Sequence, residues 1–421
     1  VKVVQRADTR LIKKLNEIRL LHLLRDHSPI SRNELARRAH ISKVAASDIV
    51  ARLDRAGFII TVGKGETTRR GGKPPILLKL NPESGYVGGI EIKRQRSLVA
   101  LGNVESRVMG CEQVTYAAEA PMEDVLRAIF RAVDGLLARH GVPPERFVSI
   151  GIAIPGIVDY RRGRLSFADT LRGWAQKPLA ERFARRYRVP VVMENDVNVM
   201  ALGESLLGAG KGVENLVCIW IGEGIGAGII VDGQLVRGEA GNAGEIGYLE
   251  VGHMLAHSGR MRRLYAGQRF FGDLLAEHNL IAALRNELAE SMPEGMAAEM
   301  ELLSLLKAGD VGEPRVRQCL EEYAYGLAAL CMTVVKTLNP TLIVLSGRVV
   351  EHSAYLVSRV RAILVEEMAN IPFRASTLAV GKLKEEAGIR GAIALALLSI
   401  FEPPMVMSRN HQQLQMAKFC S

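Results

Sequence analysis

Residues 89–101, GIEIKRQRSLVAL, begin like the first strand and turn of a nucleotide-binding lobe and then place Lys93, Arg94, Gln95 and Arg96 in the turn. A turn that cradles phosphate needs glycines there, because only a chain without Cβ lets backbone N–H groups close on phosphate oxygens. Cationic side chains attract phosphate, but in-line transfer requires the cradle as well as charge. A second place for chemistry is Asn195 and Asp196 in MENDVNVM. A carboxylate there can take a proton from a hydroxyl or accept its hydrogen bond, and both residue types also favour turns at strand ends for backbone reasons. Gly222, Gly224, Gly226 and Gly228 read as a tight strand turn with no phosphate in it. Metal chemistry is not expected. Cys111, Cys218, Cys319, Cys331 and Cys420 are scattered without a C-x-x-C pair and read as buried reduced thiols, and His253 and His257 supply two of the three or four ligands that zinc needs.

The elements that position such residues begin with a basic module. The formal charge is +10, and residues 1–80 hold 18 Lys and Arg against 7 Asp and Glu, so the excess sits in the first fifth of the chain. Leu11, Leu15, Ile18, Leu21 and Leu24 line one face of a helix. Ser31 and Glu34 form a capping box for a second helix from about Arg32 to Ala39. Ser42 caps a third helix through about Arg55, with Ala45, Ile49 and Leu53 inward and Gly57 stopping it. Residues 58–81 alternate strand-like runs with a basic, Gly-rich tip, the pattern of a wing. Together these make a winged helix-turn-helix whose third helix lies in the major groove of double-stranded DNA. Its outward start is Ser42, Lys43, Ala46 and Ser47. Arg69, Arg70 and Lys73, with Gly71 and Gly72 permitting close approach, are assigned to phosphate or the minor groove. Three helices and a hairpin can also dock a protein; the charge balance favours DNA.

From Tyr86 onward strands (86–92, 96–103, 147–155, 189–196, 215–224, 341–347) alternate with helical patterns at 124–140, 315–338 and 354–369, an α/β body with ligands expected beyond strand ends. GIAIPGIVD (151–159), MENDVNVMALGE (193–204), GEGIGAGIIVDGQLVRGEAGNAGEIGY (222–248) and NPTLIVLSGRV (339–349) resemble, in order and spacing, the motifs of the ROK family of repressors, open reading frames and kinases. The likeness covers about residues 11–400, and the family's repressor branch also carries a winged helix-turn-helix ahead of the body. It implies a two-lobed, actin-like (RNase-H-like) sugar-kinase fold. It also implies that Asp196 matches the aspartate that acts as base in family kinases, that Asn195 and Glu245 match sugar-binding positions, and that Gly156 lies in the turn that lets the ring approach. Such an acceptor-rich set suits a polyol.

Two departures shape the functional reading. The family's D-x-G-G-T reads Glu91, Ile92, Lys93, Arg94, Gln95, and its later G-G reads Gly347, Arg348, so no phosphate transfer and no catalytic residue are expected. The histidine and three cysteines that hold zinc in many members are absent, with Tyr248 at the histidine position, where its hydroxyl could face the sugar instead. Thr170 to Trp174 resembles a stretch from which an asparagine reaches the sugar. The expected organisation is a DNA-binding domain at 1–80, a first lobe at 81–200 to which 387–401 returns, a second lobe at 201–386 that also carries the oligomerisation region, and a tail at 402–421. The reading is a transcriptional regulator, a repressor released from its operator by a sugar or sugar derivative, with no cofactor and no metal, acting as a dimer or tetramer. The alternative is an ATP-dependent sugar kinase with an attached DNA-binding domain, and a third is a body that docks a partner protein. No apolar run is long enough to span a bilayer, and the segment Val1 to Lys14 is too polar for a signal peptide, so a cytoplasmic location is expected.

Overall fold

Ser31 closes a two-residue strand, β1 (Ile30–Ser31), and caps helix α1 (Arg32–Ala39), its hydroxyl accepting from the Glu34 amide at 3.3 Å. The computed structural model describes residues 16–17, 19–21, 23–25, 27–66, 74–252, 259–265, 267–288, 298–369 and 376–401. Only half of the expected capping box forms. The Glu34 carboxylate turns to Arg37 and Arg38 at 2.5 and 2.6 Å, two charge-assisted contacts that outweigh one backbone bond and hold its carboxyl down at about 2. Ahead of it, Leu20 and Leu24 are buried and Leu21 partly so; Leu11, Leu15 and Ile18 lie outside the described residues.

Helix α2 (Lys43–Arg55) starts at Ser42, which accepts from the Ala45 amide at 3.1 Å, and the chain leaves it through Gly57 at φ 73°. Its inner face is Ala46, Ile49, Val50 and Leu53. The expected stripe is therefore off by one residue at its start: Ala45 is half-buried, and Ala46, assigned to the outer face, is 0% exposed. Each helical residue turns about 100°, so a one-residue slip moves a side chain from groove to core. Strands β2 (Ile59–Lys64) and β3 (Ile76–Leu80) form the antiparallel wing stem, in a sheet ordered β1-β3-β2.

By contact the chain forms two compact units, Val1–Ile154 with Val158–Met193 and Ala392–Ser421, and Pro155–Ile157 with Glu194–Gly391. Beyond the winged module, the first contains β4 (Tyr86–Ile92), β5 (Arg96–Asn103), β6 (Val108–Thr115), β7 (Phe147–Ile154), all but the first residue of β8 (Ile157–Asp159), which pairs with β9 (Arg164–Phe167), and the first three residues of β10 (Val191–Asn195), whose last two belong to the second. Helix α3 (Met122–Arg139) turns Val125, Ile129, Val133 and Leu136 inward at spacings of three and four, the stripe that buries a helix against β5 and β6. Helix α4 (Leu179–Tyr187) adds Phe183 to the same core.

The second unit contains α5 (Asp196–Leu207), β11 (Leu216–Ile221), β12 (Ile225–Val231), β13 (Gln234–Val236), α6 (Glu277–Leu288), α7 (Ala298–Val311), α8 (Pro314–Leu338), β14 (Leu342–Ser346), α9 (Ala354–Met368) and β15 (Thr377–Val380). Helix α10 (Ala387–Phe401) begins in it and ends in the first unit. Strands β11 and β14 are almost wholly apolar and buried on both faces, as a central parallel pair requires.

The sheets are ordered β6-β5-β4-β7-β10 and β13-β12-β11-β14-β15. In each, the first three strands in the chain form an antiparallel meander and the fourth pairs parallel with the first. The same topology is therefore built twice in the chain. Among the described residues no helix is long and apolar enough to cross a membrane. Among the described residues Cys111, Cys218, Cys319 and Cys331 form no disulfide; burial pushes the thiols of Cys218, Cys319 and Cys331 up to about 12, while Cys111, expected to be buried, is exposed, and Cys420 lies outside the described residues.

Candidate functional site

Strand β10 runs without a loop into α5, and Asn195 makes that junction. Its side-chain oxygen accepts from the amides of Val197 and Asn198 at 2.9 and 3.1 Å, and its amide nitrogen donates to the Gly156 carbonyl at 3.0 Å. The cap satisfies two of the helix's orphan donors, and the tether fixes the turn where Gly156 adopts φ 105°. Asp196, half-buried, also accepts from the Val197 amide at 3.0 Å. Gly156, Asn195 and Asp196 are thus brought together, and Asn195 combines the turn-making role weighed from sequence with a position beside the carboxylate.

Sequence reasoning missed the support beneath them. Glu194 is buried; one carboxylate oxygen accepts from the Asn195 amide at 3.0 Å and from the Asn198 side chain at 3.1 Å, and the other from the Arg237 guanidinium. A lone glutamate in the apolar run VVMEN was the available signal, since an acid on a core strand needs such partners. The carboxylate also fixes which way the Asn198 amide points, and leaves its oxygen buried without a hydrogen-bond donor among the described residues.

Glu245 is anchored on the adjoining strand. Gly244 holds φ 94°, where a Cβ would lie 1.7 Å from the Ala227 carbonyl oxygen, and its own carbonyl accepts from the Ala227 amide at 2.8 Å. Glu245 is half-buried, and burial raises its carboxyl above the ordinary range. Tyr248, three residues on, is 59% exposed and stacks edge-to-face on Phe270 at 5.9 Å.

The glycine ladder divides into two functions. Gly222 donates to the Gly224 carbonyl at 3.0 Å, closing the tight turn expected between β11 and β12. Gly226 and Gly228 instead let α5 lie against β12: a Cβ on Gly228 would sit 2.2 Å from the Ala201 Cβ, and one on Gly226 3.1 Å from Val197. These glycines therefore set the depth at which Asn195 and Asp196 are held above β12, and Glu245 hangs from the same strand.

The turn at Lys93 to Gln95 is bonded internally. The Lys93 amide donates to the Arg96 carbonyl at 2.8 Å, Tyr116 donates from its hydroxyl to the Lys93 carbonyl at 2.7 Å and from its amide to the Gln95 carbonyl at 3.0 Å, and Arg94 lies 3.8 Å from Glu119. Lys93 Nζ is 2.9 Å from the buried carboxylate of Glu91, off the direction of a hydrogen bond. In the second unit, Arg348 meets the buried carboxylate of Glu277 at 2.6 Å, and the Glu277 amide donates to the Gly222 carbonyl at 2.9 Å.

Of the residues assigned to DNA, Ser42 and Lys43 are exposed at the start of α2, Ser47 is half-buried, and Ala46 is in the core. Arg69, Arg70, Gly71, Gly72 and Lys73 lie outside the described residues, as do His253 and His257. No group of three or more His, Cys, Asp or Glu is placed to hold a metal ion among the described residues.

A model of the ROK family matches residues 87–398. The chain belongs to the ROK family. A MarR family model matches residues 14–71, which places a helix-turn-helix module ahead of the ROK body. The chain is 24% identical over 401 residues to the xylose repressor of Caldicellulosiruptor bescii, covering 94% of this chain and 98% of that one. Among solved structures it is similar to a ROK family transcriptional regulator described as a homologue of the Escherichia coli MLC protein, at TM-score 0.74 and 21% identity, covering 97% of this chain and 98% of that one. A ROK hexokinase from Thermus thermophilus matches at TM-score 0.61 and 24% identity, covering 75% of this chain and 99% of that one. At these identities the structural likenesses speak to the fold alone: the ROK body is common to all, and the hexokinase is spanned by three quarters of this chain.

Proposed function

We propose that the chain is a sugar-responsive transcriptional repressor. Its winged module, residues 1–80, binds operator DNA, and a sugar or sugar derivative held by Gly156, Asn195, Asp196, Glu245 and Tyr248 releases it. The observation that carries this is the union in one chain of a MarR-type helix-turn-helix with a ROK body, matched over 94% of its length by a xylose repressor. The site residues support it chemically. They offer carboxylates, an amide and a phenol to a ligand rich in hydroxyl donors.

The body comprises two lobes that divide near residue 200, with the chain returning to the first from about residue 387. It assembles as a dimer or tetramer in the cytoplasm, so that paired modules meet two half-sites. Effector binding shifts the lobes toward one arrangement and respaces the reading helices.

Phosphoryl transfer is not part of the function. Long side chains replace the glycines at Lys93, Arg94 and Gln95, the turn's carbonyls are occupied by Tyr116, and Arg348 is held by Glu277 at the position of the second family glycine. The kinase reading has one observation in its favour, Asp196 beside Asn195 at the start of α5. It requires ADP release from ATP and magnesium in the presence of sugar.

The test is a mobility-shift assay on duplexes selected from a random pool, repeated with a panel of free, phosphorylated and N-acetylated sugars, alongside thermal shift with the same panel. One sugar that raises the melting temperature and weakens the DNA complex is the expected result. A panel with no effect on either refutes the effector role, and sugar-dependent ADP release at enzyme-like rates refutes the exclusion of catalysis.

A further inference from the structure

The outward face of α2 carries a valine and an aspartate one turn apart. Val44 is 72% exposed, so its two methyl groups face outward. Asp48, exposed, lies one turn further on, and Ala51, also exposed, follows at i+7 on the same stripe. Asp48 has no hydrogen bond or ion pair among the described residues. Its natural partner at i+4, Arg52, pairs with Glu17 at 3.1 Å instead. On a face presented to phosphates, an unpaired carboxylate repels the ligand unless it meets a donor.

We propose that Val44 and Asp48 are the base-reading residues of this module: Val44 packs on a thymine methyl, and Asp48 accepts from the exocyclic amino group of a cytosine. The assignment rests on the DNA-binding reading above. In the major groove, guanine offers only acceptors at N7 and O6, thymine an acceptor and a methyl, adenine an amino group next to the N7 acceptor, and cytosine an amino group alone. A carboxylate can only accept, so it is repelled by guanine and thymine edges, half-opposed by adenine and matched by cytosine. A β-branched side chain on a helix has essentially one χ1, so the methyls of Val44 are placed in advance. Lys43 beside it serves phosphate, and Ser42 is committed to the helix cap.

The experiment selects binding sites from a random duplex pool with the wild-type protein, Val44→Ala and Asp48→Asn, and then measures affinity for the selected duplex by fluorescence anisotropy. Both side chains are exposed, so neither change empties the core. Replacing one thymine by deoxyuridine, which deletes only its methyl, should weaken the wild type about fourfold, the effect of one buried methyl of ~0.8 kcal/mol, and leave Val44→Ala unmoved. At one position the wild type should prefer cytosine by about 5- to 150-fold, and Asp48→Asn should shift the preference to adenine, whose N6 and N7 an amide meets together. The proposal is overturned if Val44→Ala keeps the full uracil penalty, if Asp48→Asn selects the same base, or if Asp48→Ala tightens every duplex equally, the mark of a carboxylate that merely repels phosphate. Failure to bind any duplex at low salt refutes the DNA-binding reading itself, and this assignment with it.

Discussion

A single methyl group separates the two functions assigned to the glycine ladder. In Gly228→Ala the new Cβ would stand 2.2 Å from the Ala201 Cβ and 3.0 Å from the Val197 carbonyl oxygen, whereas at Gly224 nothing lies within 4 Å. Ordinary contact between such carbons begins near 3.4 Å, so α5 must move from β12 by more than 1 Å. It carries Asn195 and Asp196 with it. Overpacking on this scale costs about 2 kcal/mol, and for a unit of this size that lowers the melting temperature by about 4–8 °C. Calorimetry of the full chain, with and without the sugar found by thermal screening, reads both consequences. Gly228→Ala should melt earlier and lose most of the sugar-induced stabilisation, because a hydrogen-bonding site displaced by that distance no longer meets its ligand. Gly224→Ala should match the wild type within ~0.5 kcal/mol, as a surface change does. If Gly224→Ala abolishes the ligand response while Gly228→Ala melts normally, the ladder belongs to a ligand and the packing account is wrong.

Glu204, fully buried at the end of α5, accepts from the amides of Ala209, Lys382 and Leu383 at 2.7, 3.1 and 2.7 Å, so Glu204→Ala strands three donors and should cost more than about 3 kcal/mol in chemical denaturation; a midpoint equal to wild type contradicts that account. Asn195→Asp keeps an effective helix cap but sets two acceptors against each other where the amide now donates to Gly156, so it should melt only slightly early and yet lose the sugar-induced shift; retention of the shift removes Asn195 from the ligand site. Burial raises the Glu245 carboxyl, so its contribution to folding is present below the ordinary carboxylate range and is lost as pH rises through the raised value. Effector affinity should accordingly fall, as pH is lowered, at a higher pH than an ordinary carboxylate would impose. In Glu245→Gln that pH dependence should vanish from titrations across the acid range, and a persisting one assigns it to another group.

Much of this architecture was legible because strand and helix periods were strong and unbroken. The runs 86–92 and 96–103 coincide with β4 and β5, and the apolar stripe beginning near residue 315 became α8, ending at Leu338 as the following Asn-Pro requires. Misreadings arose where two local signals compete for one group. Glu34 was assigned to Ser31 because the spacing fits a capping box, but Arg37 and Arg38 are charged and as near in sequence. Ala45 and Ala46 are chemically identical, so only the phase set by Ile49, Val50 and Leu53 could decide which faces the core, and the sequence reading followed Ala45, Ile49 and Leu53 without Val50.

The site divides along the same line. Asn195 and Asp196 are marked by type, but Arg237 reaches Glu194 from 43 positions away, and no local pattern encodes that pairing. The glycines show how an ancient-looking motif can keep its spelling for a different reason. Gly226 and Gly228 are required by the distance between a helix and a strand, a demand that phosphate chemistry does not make and that persists whether or not a nucleotide is ever bound. The first-unit turn faced no such demand. With its carbonyls tied to Tyr116 and its flanking strands paired through Ser97 and Ile92, it accommodates Lys93, Arg94 and Gln95 without strain on the sheet. A body of this kind can therefore keep glycines in one turn because a helix packs against them and carry long side chains in another where no such packing is required, which separates the demands of packing from those of chemistry.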